Sequence, residues 1–284
     1  PTLRNTPKNI QLAGFTVINM RVRVIHSFFS GGRDSALASF IAYRVAKVRG
    51  WGFRLVFIDT TIAIPDTVDY VHRYAEWLGA ELVVLKPKHS FSELAPKYSW
   101  PLLYHNRWCY YELKRKPTME YLQHNYKSND IVVMGIRNSE SQFRLMNYDR
   151  TFTWKCYDDL CVHAWYPILR LSDVEVEQLI RKFNIPVNPV WSRVGISGDC
   201  LCLAGTTEHK LIKIAIHYPD MIKKLVEIDE KIQADRKSKE PSYPAPLVRR
   251  RLTLSEWYSK IAKQSTIDDY LTEYNSCQLG CMIE

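Results

Sequence analysis

The chain reads as an α/β protein: a parallel sheet covered by helices on both faces, followed by a helical C-terminal region. Three observations carry that reading. Short β-branched runs alternate with stretches of helical periodicity between residues 22 and about 183, the pattern of repeated strand–helix units. A glycine-rich turn, Ser30-Gly31-Gly32-Arg33-Asp34-Ser35, joins the first of those runs to the first helix. From about residue 205 the strand signals stop and the pattern becomes helical and lysine-rich.

The elements follow in order. Residues 1–20 form an irregular N-terminal extension. Val22–Phe29 is the first strand, and Asp34–Val48 a helix whose face carries Leu37, Phe40, Ile41, Val45 and Val48. Arg54–Ile58 is a second strand ending at Asp59. Thr67–Leu78 has Tyr70, Val71, Tyr74, Ala75 and Leu78 at helical spacing. Glu81–Leu85 is a third strand, residues 110–125 a helix with Pro117 marking a start, and Asp130–Met134 a fourth strand ending at Gly135. Residues 151–168 read as a hairpin or irregular excursion about Asp158-Asp159. Ser172–Phe183 opens with a Ser172/Glu175 capping box, and Asn184–Pro189 breaks it. Ser238–Pro246 is a proline-bearing linker, and Arg249-Arg250-Arg251 opens the last segment. The expected organisation is an extension over 1–20, an α/β domain over 21–205 and a helical region over 206–284.

Sheets of this kind bind ligands just beyond the carboxyl ends of their strands, where Ser30, Asp59 and Gly135 fall. The Ser30–Ser35 turn suits an anion. Adjacent glycines permit a tight turn and close approach of a ligand, the first helical N–H groups lack intrahelical partners, and two serines add hydroxyls. The ligand expected there is a phosphate or pyrophosphate. A plain Gly-Gly turn with a capping Ser or Asp is the competing reading. The turn lacks the Lys-Ser/Thr of a Walker loop and the spaced glycines of the dinucleotide fingerprint.

At 284 residues the chain can bury one large domain, alone or with an appended subdomain. Its 46% hydrophobic and 24% charged content are those of an ordinary globular protein. It contains no run of about 18 apolar residues, the length a membrane helix needs, and residues 1–20 do not resemble a secretory signal, so a cytoplasmic location is expected. The net charge of +9 suits phosphate-bearing ligands, with a nucleic acid (tRNA or DNA) among them, or serves solubility alone. Seven cysteines, an odd number, argue against a complete disulfide framework and for metal ligation or thiol chemistry at some of them.

Beyond the loop the motifs form a series that resembles the phosphoadenosine phosphosulfate (PAPS) reductase-like family of the PP-loop, adenine nucleotide alpha-hydrolase-like superfamily. Ser30–Ser35 is similar to its SGGxDS loop, and Asp59-Thr60 with Ile64-Pro65-Asp66-Thr67 to the segment after its second strand. Arg107-Trp108-Cys109, Leu113-Lys114 and Pro117 resemble its R-W-C…L-K…P stretch. Gly135-Ile136-Arg137, Glu140-Ser141 and Arg144 resemble its G-I-R…E-S…R motif, and Pro167-Ile168 through Asn188-Pro189 its closing segment. The resemblance implies a Rossmann-like core that binds ATP or an adenylyl sulfate (PAPS or APS) with Mg²⁺ and acts at the α-phosphate. It implies adenylyl transfer with pyrophosphate release, linked to sulfur transfer or thiolation, because the intact loop resembles the members that use ATP. Thiol-dependent reduction of an adenylyl sulfate to sulfite is the second reading, and a nucleotide-binding protein without turnover the third.

The residues take provisional roles. Ser30, Gly31, Gly32, Arg33, Asp34 and Ser35 cradle the phosphates, Asp59 with Thr60 meets ribose or Mg²⁺ or caps a turn, and Asp34 steadies the loop or helps hold Mg²⁺. Lys114 is a phosphate contact or a solvated lysine. Gly135, Arg137, Glu140, Ser141 and Arg144 form an anion fork or a surface ion-pair set, with Asp34, Arg137 and Arg144 the catalytic candidates. Cys109, Cys200 and Cys202 are candidate thiolates for an iron–sulfur cluster or zinc, with Cys277, Cys281 or His105 as a further ligand. The familiar Cys-Cys…Cys-x-x-Cys layout is absent: Trp108 and Tyr110 flank Cys109, and one residue separates Cys200 from Cys202. Buried thiols or a redox pair remain the alternatives. Cys156 and Cys161 pair across the hairpin or sit in the core, and Cys277 with Cys281 near the terminus is a candidate thiol nucleophile or pair.

Overall fold

The computed structural model describes residues 21–101, 107–157, 159–239 and 252–263. The N-terminal extension, His105, Asp158, the Arg249–Arg251 run, Cys277 and Cys281 lie outside the described residues, as does the linker beyond Lys239.

The expected strand–helix alternation is present. β1 (Val24–Phe28) leads into α1 (Arg33–Arg49), β2 (Gly52–Ile58), α2 (Pro65–Leu78), β3 (Glu81–Leu85) and α3 (Phe91–Tyr98). A helical turn (Trp108–Tyr110) and a π turn (Tyr111–Arg115) run directly into α4 (Lys116–Asn125), with Pro117 in its first turn. β4 (Ile131–Met134) follows, then α5 (Gln142–Asn147), β5 (Phe152–Tyr157), β6 (Leu160–Trp165), α6 (Asp173–Lys182) and α7 (Pro189–Val194). α8 (Glu208–His217), α9 (Pro219–Lys239) and α10 (Leu254–Lys263) close the described chain.

The six strands form one sheet in the order β3-β2-β1-β4-β6-β5. The pairings from β3 to β6 are parallel, and only the β5–β6 hairpin is antiparallel. Both faces are covered, as a parallel sheet requires. One face buries Ile25, Leu55 and Val133 against Leu37, Ile41 and Val45 of α1 and Val71 and Tyr74 of α2. The other buries Val56, Val132 and Val162 against Tyr121, Leu122 and Tyr126. α1 and α2 each stop at a glycine in the left-handed region, Gly50 and Gly79. The Ser172/Glu175 capping box forms, with reciprocal bonds of 3.3 and 2.9 Å at the start of α6.

In the hairpin Cys156 stands opposite Cys161 and the two are joined in a disulfide. This decides between the pairing and core readings of those two cysteines.

The chain separates into two compact units. The first takes Pro1–Phe91 and Arg107–Cys202 and contains the whole sheet; the second takes Ser92–Asn106 and Leu203–Glu284. The second unit is helical. α8, α9 and α10 bury Leu211, Ile222, Leu225, Ile228 and Leu254, and the buried Asp229 accepts hydrogen bonds from Trp100 Nε1 (2.8 Å) and the Ser255 amide (3.2 Å).

Candidate functional site

The strand order reverses between β1 and β4, because the chain runs outward from β1 through β2 and β3 and then returns to pair β4 on the other side of β1. Ligands of open α/β sheets lodge at such a switch point. The Ser30–Ser35 turn sits there, at the end of β1 and over the N-terminus of α1.

Gly31 has φ 75°, a conformation that favours glycine. A Cβ on it would also stand 2.8 Å from Thr67 Cγ2. Ser35 Oγ donates to the Gly32 carbonyl at 2.9 Å and lies 3.2 Å from Ser30 Oγ, tying the two ends of the turn together. Gly32 takes the N-cap position with no side chain to cap the helix, so the first-turn amides of α1 are not covered by a side-chain cap. Gly135, at the end of β4, packs against that same turn. A Cβ there would fall 2.6 Å from Ser35 Cα and 2.7 Å from its nitrogen, and backbone cannot give way.

The loop is also braced from behind. The buried Asn188, just before α7, donates from Nδ2 to the Gly31 carbonyl at 2.9 Å and to the Ser197 carbonyl at 2.9 Å. Thr67 Oγ1 donates to the same Ser197 carbonyl at 2.9 Å. Asn188-Pro189 thus pins the glycine turn to the 195–199 segment, a function its place in the sequence does not reveal.

Arg137 is 3% exposed, and its donors are largely committed within the protein. Nε donates to Asp34 at 2.8 Å, the two NH groups to Asp173 at 2.9 Å and to Ser139 Oγ at 3.2 Å, with the Leu171 carbonyl at 3.4 Å. Arg33 also reaches Asp34 (3.4 Å) and Asp173 (2.5 Å). The Arg33 hydrogen bond, with Arg137 beside it, holds Asp173 below the usual carboxylate range. The structure therefore places Arg137 as the clamp on Asp34. The half-exposed Arg144 pairs with Glu140, which in turn accepts from the Arg137 amide at 3.4 Å, and it lies within electrostatic reach of Asp34. Ser141 caps α5 by accepting from the Arg144 amide at 3.2 Å. Asp59 accepts from the Thr61 amide at 2.9 Å and faces Lys86 at 3.8 Å, while Thr60 donates to the Asp199 carbonyl at 2.6 Å.

A cavity of about 200 Å³ opens beside the loop, lined by Ser30 and Ser35, by apolar Phe28, Val56 and Met134, and by Lys114 and Asp199. Lys114 donates to Asp199 at 2.6 Å. Burial works against the charge on each, and the opposite charge of the partner outweighs it. Lys114 is held above the ordinary lysine range and Asp199 below the usual carboxylate range. Sequence reasoning passed over Asp199; its only signal was adjacency to Cys200.

The free thiols among the described residues, Cys109, Cys200 and Cys202, lie on this side. Cys202 hydrogen-bonds both Cys109 and Cys200. The Cys202 bond lowers the Cys109 pKa, although burial opposes it; the same neighbour, with burial, pushes Cys200 well above the ordinary thiol range. Among the described residues no group of three or more His, Cys, Asp or Glu is arranged to hold a metal ion.

Residues 24–204 match the phosphoadenosine phosphosulfate reductase domain, more than half of the chain. The chain belongs to that family. The chain is similar to two uncharacterized proteins of Methanocaldococcus jannaschii. One is 27% identical over 205 residues, covering 72% of this chain and 47% of its own length. The other is 24% identical over 199 residues, covering 69% and 39%. The chain thus spans less than half the length of either.

Among solved structures, the family member described here is similar to the FMN adenylyltransferase of Candida glabrata in complex with FMN and the ATP analogue AMPCPP. The TM-score is 0.50 at 11% identity, over 69% of this chain and 65% of that one. It is also similar to the U34-tRNA thiolase NcsA of Methanococcus maripaludis with its 4Fe-4S cluster, at TM-score 0.49, 12% identity and 87% of each chain. At these identities the likeness concerns the fold. Among the described residues no helix is long and apolar enough to cross a membrane.

Proposed function

We propose that the chain holds ATP at the end of β1 and acts at its α-phosphate, transferring the adenylyl group with release of pyrophosphate in a sulfur-transfer or thiolation reaction. The observation that carries this reading is the intact Ser30–Ser35 turn. Its glycine backbone, two hydroxyls and the uncapped start of α1 provide a row of donors suited to two adjacent phosphates. An adenylyl sulfate has no pyrophosphate to hold. The apolar walls at Phe28, Val56, Ile58 and Met134 suit a purine ring. The cavity of about 200 Å³ is smaller than the roughly 300–1,000 Å³ of whole-ligand pockets. It takes one part of the nucleotide, the rest lying along the loop.

Mg²⁺ is held by one or two carboxylates together with substrate phosphates. Asp34 is matched by two guanidinium groups and fits poorly; Asp59, with one amide donor and a lysine at 3.8 Å, fits. An ion held at Asp59 would neutralise phosphate charge. An iron–sulfur cluster needs a complete ligand set. Among the described residues Cys109, Cys200 and Cys202 supply three thiolates and are not arranged as a metal site. Their presence beside Lys114 supports the second reading, thiol-dependent reduction of PAPS or APS.

The deciding measurement is pyrophosphate release from labelled ATP and Mg²⁺ across candidate acceptors, alongside direct ATP binding. Asp34→Ala and Ser30→Ala are expected to weaken ATP binding about tenfold or more, from lost charge-assisted and hydroxyl bonds in the loop, with the unfolding midpoint near wild type for Ser30→Ala and lowered for Asp34→Ala, which leaves the buried Arg137 short of a carboxylate while the chain still folds. Unchanged binding in both variants would overturn the loop assignment. Tight ATP binding with no release would leave a nucleotide-binding protein without turnover, and sulfite release from PAPS with a dithiol would establish the reductase.

A further inference from the structure

An exposed strip of aromatic rings and cations runs beside the cavity, and neither the loop nor the thiols use it. The segment 107–115 turns Cys109 and Lys114 inward and Tyr110 and Tyr111 outward, 38% and 50% exposed. The two tyrosine rings meet edge to face at 5.5 Å. Arg107 lies over Tyr110 at 5.1 Å and Arg115 over Tyr111 at 5.6 Å. The strip continues onto neighbouring elements. Tyr148, just after α5, is within electrostatic reach of Tyr110, and Tyr157 of β5 within reach of Tyr110, Tyr148 and Arg115. Lys155 lies over Tyr148 at 5.2 Å.

Among the described residues Glu112 is matched by Lys116, Glu140 by Arg144 and Asp149 by Arg150. Arg107 and Lys155 lie over rings of the aromatic strip in a chain whose net charge is +9. Stacked rings interleaved with cations are the chemistry that holds single-stranded nucleic acid. Bases stack on the rings and the backbone follows the positive charge. A protein partner would bury the apolar rings but has no use for a cation over each of three tyrosines.

We propose that the strip formed by Tyr110, Tyr111, Tyr148, Arg107 and Lys155 binds a single-stranded segment of RNA or DNA and brings it to the mouth of the nucleotide cavity. The proposal rests on the adenylyl-transfer reading, because it names the class of acceptor. Lys114, four residues after Tyr110, lines the cavity itself, so a strand lying on the strip runs past the bound nucleotide.

The test is fluorescence anisotropy of the full chain with labelled single-stranded RNA and DNA 20-mers over a range of salt, with ATP binding measured on the same samples. Wild type is expected to bind, with affinity falling as salt rises. Tyr110→Leu with Tyr111→Leu should weaken oligonucleotide binding at least about fivefold, the lower end of one lost stacking contact. Arg107→Ala with Lys155→Ala should flatten the log–log salt slope by about 1.4, at roughly 0.7 per phosphate contact. ATP binding should be unchanged in both variants. An oligonucleotide that does not bind while ATP does, or binding that survives both double variants, would overturn the proposal and leave the nucleotide reading standing. Loss of ATP binding in wild type would instead sink the nucleotide reading.

Discussion

The two ends of the β1–β4 strand pair carry polar groups of opposite design. At the amino end every group faces a partner. Asp130 is fully buried and accepts from Arg23 Nε at 3.0 Å, Arg23 NH2 at 2.5 Å, and the amides of Val24 at 3.1 Å and Lys127 at 2.9 Å. His26, also fully buried, donates from Nε2 to Asp130 at 3.2 Å and accepts from the Tyr121 hydroxyl at Nδ1, 2.8 Å away. A carboxylate can only accept, which sets the ring's tautomer. At the carboxyl end the Ser30–Ser35 turn closes its own ends but leaves the start of α1 uncapped beside a cavity. A closed network fixes the sheet, and an open row of donors has the chemistry that suits an anion.

The comparison can be broken at the closed end first. Asp130→Ala removes the acceptor of five hydrogen bonds and leaves Arg23 and the His26 ring short of a partner. It should destabilise the fold by about 3–5 kcal/mol, read from the denaturant midpoint. ATP affinity per folded molecule should hold. A large loss of affinity with little loss of stability would mean the two ends are not separate.

Gly135→Ala should sit between the ends in effect. The new methyl group meets the Ser35 backbone, so overpacking should cost about 1–3 kcal/mol. Here ATP binding should fall as well, because the start of α1 must move. Calorimetric titration beside a urea melt separates the two effects.

The smallest effect sharpens the closed end through pH. Burial lowers the His26 pKa below its ordinary value, against the pull of Asp130. Between the folded and unfolded values the unfolded chain binds more protons, so stability falls as pH drops below about 6.5. His26→Asn should remove that slope between pH 7.5 and 5.5 while the nucleotide site is untouched. An identical slope in the variant would assign the pH dependence to another group.

Much of this was legible along the chain because it is local. The strand–turn–helix at residues 22–48, the glycine turn and the Ser172/Glu175 box are each written within a few residues, and each formed. α3 and α5 went unread, since α3 carries Pro96 inside it and α5 spans only one and a half turns. The helix expected over 110–125 is divided by a π turn, which places Lys114 against the cavity and the tyrosines outside it. The roles of the charged residues were the least legible. Arg137 faces Asp34 across 103 positions, Lys114 meets Asp199 across 85, and Asn188 reaches Gly31 across 157.

By itself, then, the sequence determined the strand–helix order, the glycine-rich turn and the family, because periodicity, glycine at a tight turn and helix capping act between near neighbours. Only the tertiary structure decided which partner each charge meets. It turned Arg137 into a clamp on Asp34, made Asp199 the counter-ion of Lys114, and gathered Cys109 with Cys200 and Cys202. Such pairings are set by how the parallel strands stack side by side, and residues brought together at one sheet end carry no mark of it in their order along the chain.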